Sequence, residues 1–254
     1  MDALILAAGF GSRMRGFSAS KPLTPVLGVP MIEWGVRAAV AAGAERVIVA
    51  TGYRAEAVES TLSQISRKIG VPIVSQRVPD HNLPNGHSVI AGASVIAGDY
   101  LLMMADHIFS PQTLQRLVAQ GRQDRGVTLA VDRRIDADDL DGDDATWVRS
   151  DGQGRIVHIG KSLIDYDFVD CGAFLATPEL ATAIATAIDA GKPGSLSDGI
   201  QILADAGRAA TMDIGDDWWI DVDDPAAHTL AETHMTARRH ALPLAPFPAA
   251  RAPN

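Results

Sequence analysis

The residues whose types and spacing could do chemistry are concentrated in the first 26 positions. A short apolar run, Ala3–Ala8, is typical of a buried strand and leads directly into a turn with Gly9 and Gly11. Glycines let the backbone approach phosphate oxygens and direct N–H groups at them, and a following helix adds its positive N-terminus. Arg13 and Lys21 then supply mobile positive charge that glycine lacks. This segment therefore predicts a polyphosphate site.

The spacing of this turn excludes two common glycine loops. Its glycines follow a G-x-G-x4-G pattern rather than the dinucleotide fingerprint G-x-G-x-x-G, and no acidic residue ends a second strand at the expected distance. Phe17 and Ser18 stand where a P-loop has Lys and Ser or Thr. The ordinary strand–turn–helix start of a parallel sheet would explain the apolar run, but not Arg13 and Lys21.

Carboxylates follow two other apolar segments. Asp106 comes just after the run Tyr100–Met104, where an aspartate is often only a turn residue or a helix cap. Farther along, alternation in a strand would place Asp221 and Asp223 on one face. Two carboxylates on one face repel each other unless a cation lies near them. Asp224 is instead expected to cap a helix that follows it.

Apolar runs alternate with helical patterns up to about residue 125, which is typical of βαβ units. Ligands bind at the carboxyl ends of the strands in such folds, where the glycine turn and Asp106 are expected. We predict an α/β fold with a mainly parallel, Rossmann-like central sheet flanked by helices. The predicted strands are Leu4–Ala8, Arg46–Ala50, Pro72–Ser75 and Tyr100–Met104, and the predicted helices are Met31–Ala42, Ala55–Lys68 and Ser88–Ile96.

After residue 125 the pattern changes to shorter strands and turns, followed by two helices. We predict one domain over residues 1–232, in which 126–232 form a smaller, mixed substrate-binding half on the same sheet. Six aspartates between positions 136 and 144 are expected to form a solvated loop, and the proline- and alanine-rich residues 243–254 a disordered tail. The predicted strands are Val127–Val131, Trp147–Arg149, Ile156–Ile159 and Val169–Ala176, and the helices are Pro178–Ala190 and Leu196–Ala206.

Composition narrows the class of protein. A formal charge of −9 argues against general nucleic-acid binding, so anions must be held by local basic residues together with a divalent cation on carboxylates. The single cysteine, Cys171, excludes an internal disulfide, and there is no Cys/His cluster with zinc-ligand spacing. No apolar run approaches the roughly 18 residues of a membrane span, and no signal peptide precedes the first strand. We therefore expect a cytoplasmic protein without membrane insertion.

The pattern L-A-A-G-x-G-S-R-M, a spacer and K-P-L-x-P-V closely resembles the signature of the nucleotidyltransferase (pyrophosphorylase) family. Members join an NTP to a phosphorylated small molecule and release pyrophosphate. The resemblance implies the nucleotide-diphospho-sugar transferase fold, with a nucleotide-binding half over 1–125 and an acceptor-binding half over 126–232. It also implies Mg²⁺ on Asp106, completed by Asp221, Asp223 or both.

The resemblance assigns further roles by position. Arg13 and Lys21 would stabilise the departing pyrophosphate, and Lys161 would contact the acceptor phosphate or the α-phosphate. A loop at Asn85 and Gly86 would close over the base. The residues implied for the nucleotide are Leu6, Ala7, Ala8, Gly9, Gly11, Ser12, Arg13, Lys21, Asn85, Gly86 and Asp106, and those for the acceptor are His107, Lys161, Asp170, Ser197 and Asp198. Two of these assignments have a purely structural alternative. Ser195–Asp198 could serve as a helix cap, and His107 could pack under the site.

Five segments in order resemble more narrowly the CTP:inositol-1-phosphate cytidylyltransferases over residues 1–232, among them Met104–Phe109 and Trp219–Asp223. Cys171 replaces a common Thr and Ala105 a common Gly or Ser, which leaves the acceptor's identity open. The substrates implied are CTP and a phosphorylated alcohol, with a functional link to a membrane CDP-alcohol phosphotransferase; a homodimer is left open. The alternatives are another acceptor (phosphocholine, a phosphonate or a sugar 1-phosphate) or a non-catalytic nucleotide-binding module.

Overall fold

A computed structural model describes residues 1–14, 16, 18–120, 125–135, 142 and 144–238. Within them, the strands are β1 Asp2–Ala7, β2 Pro25–Val26, β3 Val29–Pro30, β4 Arg46–Thr51, β5 Ile73–Arg77, β6 Tyr100–Met104, β7 His107–Phe109, β8 Val127–Asp132, β9 Trp147–Ser150, β10 Ile156–Gly160, β11 Phe168–Ala176, β12 Ala209–Asp213 and β13 Trp219–Asp221. The α-helices are α1 Met31–Ala41, α2 Ala55–Ile69, α3 Asn85–Ala93, α4 Pro111–Gln120, α5 Glu179–Asp189, α6 Leu196–Asp205 and α7 Pro225–Ala237. Two short 3₁₀ helices span Ser12–Met14 and Lys21–Leu23.

The central sheet contains nine of these strands. Strands β5, β4, β1 and β6 are neighbours in that order and run parallel. Antiparallel β11 joins β6 to the second half of the chain, where β8, β9, β10 and β12 extend the sheet. Because β1 and β6 are adjacent and parallel, the turn after β1 and the residues after β6 meet at one edge.

Alternating side chains of the buried strands supply two core layers. In β1, Ala3 and Ile5 pack into the layer formed with α1, α2 and α4, whereas Leu4 and Leu6 face the layer formed with α3, α5 and α6. A strand covered by helices on both faces reads as a continuous apolar run, as β1 does. The core therefore explains why the first strand stands out in the sequence.

A short two-stranded ribbon lies outside the central sheet. Strand β13 pairs antiparallel with β7, so that Asp221 stands opposite His107 and Trp219 opposite Phe109. Ile108, Ile220 and other residues on the opposite face of the ribbon pack in a third cluster with α1 and α7. The ribbon thus places Asp221, and Asp223 just after it, close to the end of β6.

The α/β fold with a Rossmann-like parallel core is confirmed, and all predicted strands and helices are present with ends shifted by at most a few residues. The largest shift is in α3, which begins at Asn85 instead of Ser88. Among the elements that were not predicted are β7, α4 and β12. Strands from both sides of residue 125 share one sheet, while the predicted tail 243–254 and most of the acidic stretch lie outside the described residues. No described helix is long and apolar enough to cross a membrane.

Helix packing in the second half predicts a stability effect at Gly199 of α6. A Cβ atom there would lie 2.3 Å from Ile184 Cγ1 and 3.0 Å from the Ile184 backbone nitrogen of α5. We expect Gly199→Ala to lower the free energy of unfolding by about 1–2 kcal/mol, because overpacking outweighs the gain in helix propensity. Denaturant unfolding measures this. The matched control is Gly98→Ala, where an added Cβ meets nothing within 4 Å; equal stability of the two variants would contradict the packing argument.

Candidate active site

The glycine turn after β1 forms one wall of a cavity of about 240 Å³. Gly11 has φ +60°, and a Cβ atom there would lie 2.7 Å from Lys21 Cβ, so glycine lets the Lys21 stem pack against the turn. Lys21 is the first residue of the short helix Lys21–Leu23, and Pro22 follows it in the same turn. The cavity is lined by Leu6, Ala7, Gly9, Gly11, Ser12, Arg13, Lys21, Pro22, Ala105, Asp106 and Asp223. Most of the residues predicted to bind the nucleotide therefore share one cavity.

Lys21 joins the two groups of carboxylates predicted from the sequence. Its Nζ atom donates to Asp106 Oδ2 at 2.6 Å and also to Asp223 Oδ1, and its side chain is only 9% exposed. Burial would lower the pKa of this lysine, but the charges of Asp106, Asp221 and Asp223 raise it above its ordinary value. Lys21 is therefore a permanent cation at neutral pH.

Arg13 links this cluster to Lys161 through a residue that was not predicted. The Arg13 guanidinium donates to Asp223 and to Asp144, and Asp144 also accepts from Lys161 Nζ. Burial raises the pKa of Asp144, but Lys161 and Arg13 outweigh it and lower the pKa to about 2. The three predicted cations are thus connected by two carboxylates. No local signal distinguishes Asp144 from the other aspartates of its acidic run.

His107 lies between Asp106 and Asp221. Its Nδ1 atom is 2.9 Å from Asp106 Oδ1 and 3.6 Å from Asp221 Oδ1. Burial lowers the pKa of His107, but the two carboxylates raise it to about 9. Burial raises the pKa of Asp221 to about 7, with Asp106 and Asp223 adding to the effect. Burial acts in the same direction on Asp106, but Lys21 and His107 hold its pKa well below the usual range.

The donor atoms here fit a divalent cation. One ligand atom from each of Asp106, His107 and Asp221 lies within 4.8 Å of the others. Asp221 Oδ1 is buried and makes no hydrogen bond, since His107 Nδ1 is 3.6 Å away, and a buried carboxylate oxygen without a hydrogen bond is costly unless a closer cation satisfies it. Val222 is fully buried between the partly exposed Asp221 and Asp223, as alternation predicts, although β13 itself ends at Asp221.

Asn85 and Gly86, predicted to contact the base, join α3 to the start of α6. Asn85 Oδ1 accepts from the Leu196 backbone N–H at 2.8 Å. A Cβ atom at Gly86 would lie 2.3 Å from the Gly194 carbonyl oxygen. This contact explains why α3 begins earlier than predicted, since its first turn is held from outside. A contact of either residue with a base stays a prediction.

Ser195 and Asp198 form a capping box at the start of α6, which confirms the structural alternative for this motif. Asp198 Oδ2 accepts from the Ser195 backbone N–H at 2.8 Å, and Ser197 lies in the first turn of the helix. Ala8, predicted to bind the nucleotide, is buried and its carbonyl accepts from the Tyr53 N–H at 3.0 Å. The proposed contacts of Ser197 and Asp198 with an acceptor stay predictions.

The arrangement as a whole suits phosphate chemistry. Arg13, Lys21 and Lys161 supply positive charge, and Asp106, Asp221 and Asp223 supply carboxylate oxygens at one edge of the sheet. Such a site can hold a polyphosphate, a divalent cation and a second anion, and can stabilise charge that moves between them.

The chain is similar to known proteins along most of its length. A family model described as MobA-like NTP transferase domain matches residues 3–192. The chain is 34% identical over 234 residues to the bifunctional IPC transferase and DIPP synthase of Rubrobacter xylanophilus, covering 91% of this chain and 51% of that protein. It is 31% identical over 175 residues to the protein of the same name from Archaeoglobus fulgidus, covering 69% and 32%. The chain therefore spans about half, or less, of the length of these relatives.

The fold is shared with solved structures. The inositol-1-phosphate CTP transferase from T. maritima superimposes with a TM-score of 0.78 at 23% identity, over 92% of this chain and 96% of that one. The TM-score is 0.77 at 16% identity for UDP-glucose pyrophosphorylase complexed with UDP-glucose, over 94% and 99%. At these identities the likeness concerns the fold alone.

Asp170 beside this site makes stability depend on pH. Its Oδ1 atom accepts from the Gly172 N–H at 2.6 Å, yet burial raises the pKa of Asp170 from 3.8 to about 6. Because the folded-state pKa is raised, the stability linked to this group is complete below pH 3.8 and is lost as the pH rises through about 6. We expect Asp170→Asn to be more stable than the parent by about 1–3 kcal/mol near neutral pH and nearly equal to it near pH 4.

Urea unfolding of Asp170→Asn at the two pH values measures the difference. The control is Asp189→Asn at an exposed position of α5, which we expect to change stability little at either pH. A difference between Asp170→Asn and the parent that stays constant with pH would contradict the assigned shift.

Proposed function

Because this chain belongs to the MobA-like NTP transferase domain family, we propose that it is a cytidylyltransferase joining CTP to inositol 1-phosphate. The products are CDP-inositol and pyrophosphate. The observation that carries the reaction class is the convergence of Arg13 and Lys21 with Asp106 and Asp223 around the cavity, with Lys161 joined to Arg13 through Asp144. The choice of CTP and inositol 1-phosphate is supported by the sequence motifs and by what the similar transferases are named for.

We propose that Asp106, with Asp221 and Asp223, holds the Mg²⁺ ion that nucleotide transfer requires. Carboxylate oxygens are the ligands that Mg²⁺ prefers, and the buried Asp221 Oδ1 atom, which makes no hydrogen bond, supports a cation at this place. When bound, the ion supplies charge neutralisation between the phosphates. Lys21 donates to Asp106 and Asp223, and its charge lowers the pKa of Asp106, so that this carboxylate is ionised when a cation binds.

The chain's own residues account for the rest of the reaction. Backbone N–H groups of the glycine turn and the side chains of Arg13 and Lys21 bind the β- and γ-phosphates. An oxygen of the acceptor phosphate attacks the α-phosphorus in line, and the bond to pyrophosphate breaks. That oxygen is anionic at neutral pH, so no strong general base is needed, and catalysis depends on alignment and charge stabilisation.

The contacts of Asp144 support a position for the second anion. Its carboxylate lies between Arg13 and Lys161 and accepts from both. We propose that the substrates displace this carboxylate: the nucleotide phosphates take over Arg13 and the acceptor phosphate takes over Lys161, which then offsets repulsion between the acceptor and the α-phosphate. His107, Asp170, Ser197 and Asp198 would complete the acceptor side, and Asn85 and Gly86 the base side.

The pathway context is proposed with the activity. CTP and the phosphorylated alcohol are water-soluble cytoplasmic compounds, whereas the similar relatives combine two named functions in longer chains. We propose that the CDP-alcohol made here passes to a membrane CDP-alcohol phosphotransferase. A non-catalytic nucleotide-binding module is the alternative, and the presence of both the cations and the carboxylates argues against it.

Pyrophosphate release tests the reaction. We expect release with Mg²⁺, CTP and inositol 1-phosphate, and little with UTP, GTP, ATP or dTTP, or with phosphocholine or glucose 1-phosphate. Asp106→Ala and Lys21→Ala should lose at least about 10²–10³-fold in turnover while remaining folded by circular dichroism. The charge-matched controls are Asp189→Ala for Asp106→Ala and Lys192→Ala for Lys21→Ala, since both control residues are exposed and neither lines the cavity. Near-parental rates in either site variant would overturn the assignment. Release with another pair of substrates would keep the reaction class and change only the identity of the acceptor or of the nucleotide base.

The metal site can be tested separately at three neighbouring aspartates. We expect Asp221→Asn and Asp223→Asn each to raise the Mg²⁺ concentration for half-maximal rate by at least about tenfold, since each loses a ligand charge. Asp224 caps α7 by accepting from the Ala227 N–H at 2.8 Å. Asp224→Ala should therefore cost about 1 kcal/mol of stability but leave the Mg²⁺ requirement unchanged. If only one of the two Asn variants shifts the requirement, that residue alone completes the site with Asp106.

A further inference from the structure

The ribbon β7–β13 places four side chains on one face beside the candidate metal site. Asp221 stands opposite His107, and Trp219 stands opposite Phe109. Because side chains alternate along a strand, the residues two apart on each strand share a face. Both aromatic residues therefore lie next to the imidazole that touches the carboxylates.

The His107 ring is enclosed on several sides. Its plane stacks on the Trp219 ring, with centroids 5.5 Å apart and planes at 15°, and on the Phe109 ring at 6.2 Å and 26°. Gly172 closes one edge, since a Cβ atom there would lie 2.6 Å from His107 Cδ2. The ring is therefore held in one orientation, with Nδ1 directed at Asp106 Oδ1. An ionised carboxylate only accepts hydrogen bonds, so Nδ1 carries the proton of this contact.

Trp219 is itself anchored from the second half of the chain. Its indole Nε1 atom donates to Asp132 Oδ2 at 3.0 Å, and Asp132 is 4% exposed. The Arg134 guanidinium holds the same carboxylate, with Nε at 2.9 Å from Oδ1 and a terminal nitrogen at 2.7 Å from Oδ2. These contacts form a continuous series from Arg134 through Asp132, Trp219 and His107 to Asp106.

We propose that His107 and Trp219 are positioning residues that hold the Asp106 carboxylate, beside Asp221, in the orientation needed to bind a divalent cation. This inference rests on the proposed function, because it assumes that the cation binds at Asp106. It gives His107 a role distinct from the acceptor contact predicted above. It also distinguishes His107 from a metal ligand, although its ring lies within reach of both carboxylates, because Nδ1 donates to Asp106 and Nε2 packs against Gly172, where a Cβ atom would lie 2.8 Å from it. Hydrogen bonds to metal ligands typically change metal affinity by about 10–100-fold when removed.

Binding of Mn²⁺ to the full chain without nucleotide tests the inference, with free Mn²⁺ measured by electron paramagnetic resonance. We expect His107→Ala to weaken Mn²⁺ binding by about 10–100-fold. His107→Asn should restore most of the affinity, because its side-chain N–H can replace Nδ1–H. Trp219→Phe, which keeps a ring but loses the contact with Asp132, should weaken binding several-fold. Trp218→Phe, at the neighbouring tryptophan outside the stack, should bind like the parent.

The outcomes separate the inference from the proposed function. If Asp106→Asn binds Mn²⁺ as well as the parent, the metal site itself is misplaced. If Asp106→Asn loses binding while His107→Ala and Trp219→Phe keep parental affinity, the positioning role is overturned and the metal site stands. Nitrogen hyperfine coupling to the bound Mn²⁺ that disappears in His107→Ala would also overturn it, because His107 would then be a ligand. Parental Mn²⁺ affinity in well-folded Trp219→Phe alone would remove Trp219 from the proposal.

Discussion

The buried ion-pair cluster around Lys21 is the constraint on which the rest of the site depends. Asp106 and Asp223 come from segments that are far apart in the chain, and both contact one ammonium group. Without that charge, two partly buried carboxylates would repel each other at close range. Removing one partner of a buried pair typically costs about 3–5 kcal/mol, because the remaining charge is left uncompensated. Lys21 therefore holds together the turn after β1, the end of β6 and the end of β13.

Sheet topology and turn chemistry bring this cluster into existence. Strands β1 and β6 are parallel neighbours and end at the same edge of the sheet. The segment after β1 can therefore bring Lys21 into contact with Asp106, which follows β6. Gly11 permits this contact, since any larger residue would meet the Lys21 stem. The β7–β13 ribbon then adds Asp221 and Asp223 from outside the sheet, and α7 packs beneath it. Local sequence thus determines each element, and the sheet topology together with the contacts of Lys21 determines where these elements meet.

The same physics explains which features could be predicted from the sequence. Strand β1 is a continuous apolar run, helix α2 has strong apolar periodicity, and Asp106 follows a strand whose end must lie at the ligand edge. Strand β12 was missed because only two of its five residues are buried, which leaves a weak pattern. Asp144 was missed because its place in the site depends on a hydrogen bond from Arg13, a residue 131 positions away. Asn85 likewise acquires its contact with Leu196 only through the packing of α3 on α6. Periodicity encodes local elements, whereas such pairings depend on the finished topology.

The charge distribution explains how an acidic protein can hold anionic substrates. The chain carries a formal charge of −9, yet Arg13, Lys21 and Lys161 are joined through Asp144 and Asp223 at one place. An extended polyanion such as nucleic acid needs a broad basic face, and a chain of this charge repels it. A small phosphate compound needs only one local cluster of cations, and it can replace the carboxylates that now occupy them. In the function proposed above, the carboxylates would have two effects: they would keep the cations in place before an anion arrives, and they would remain nearby to bind a divalent cation.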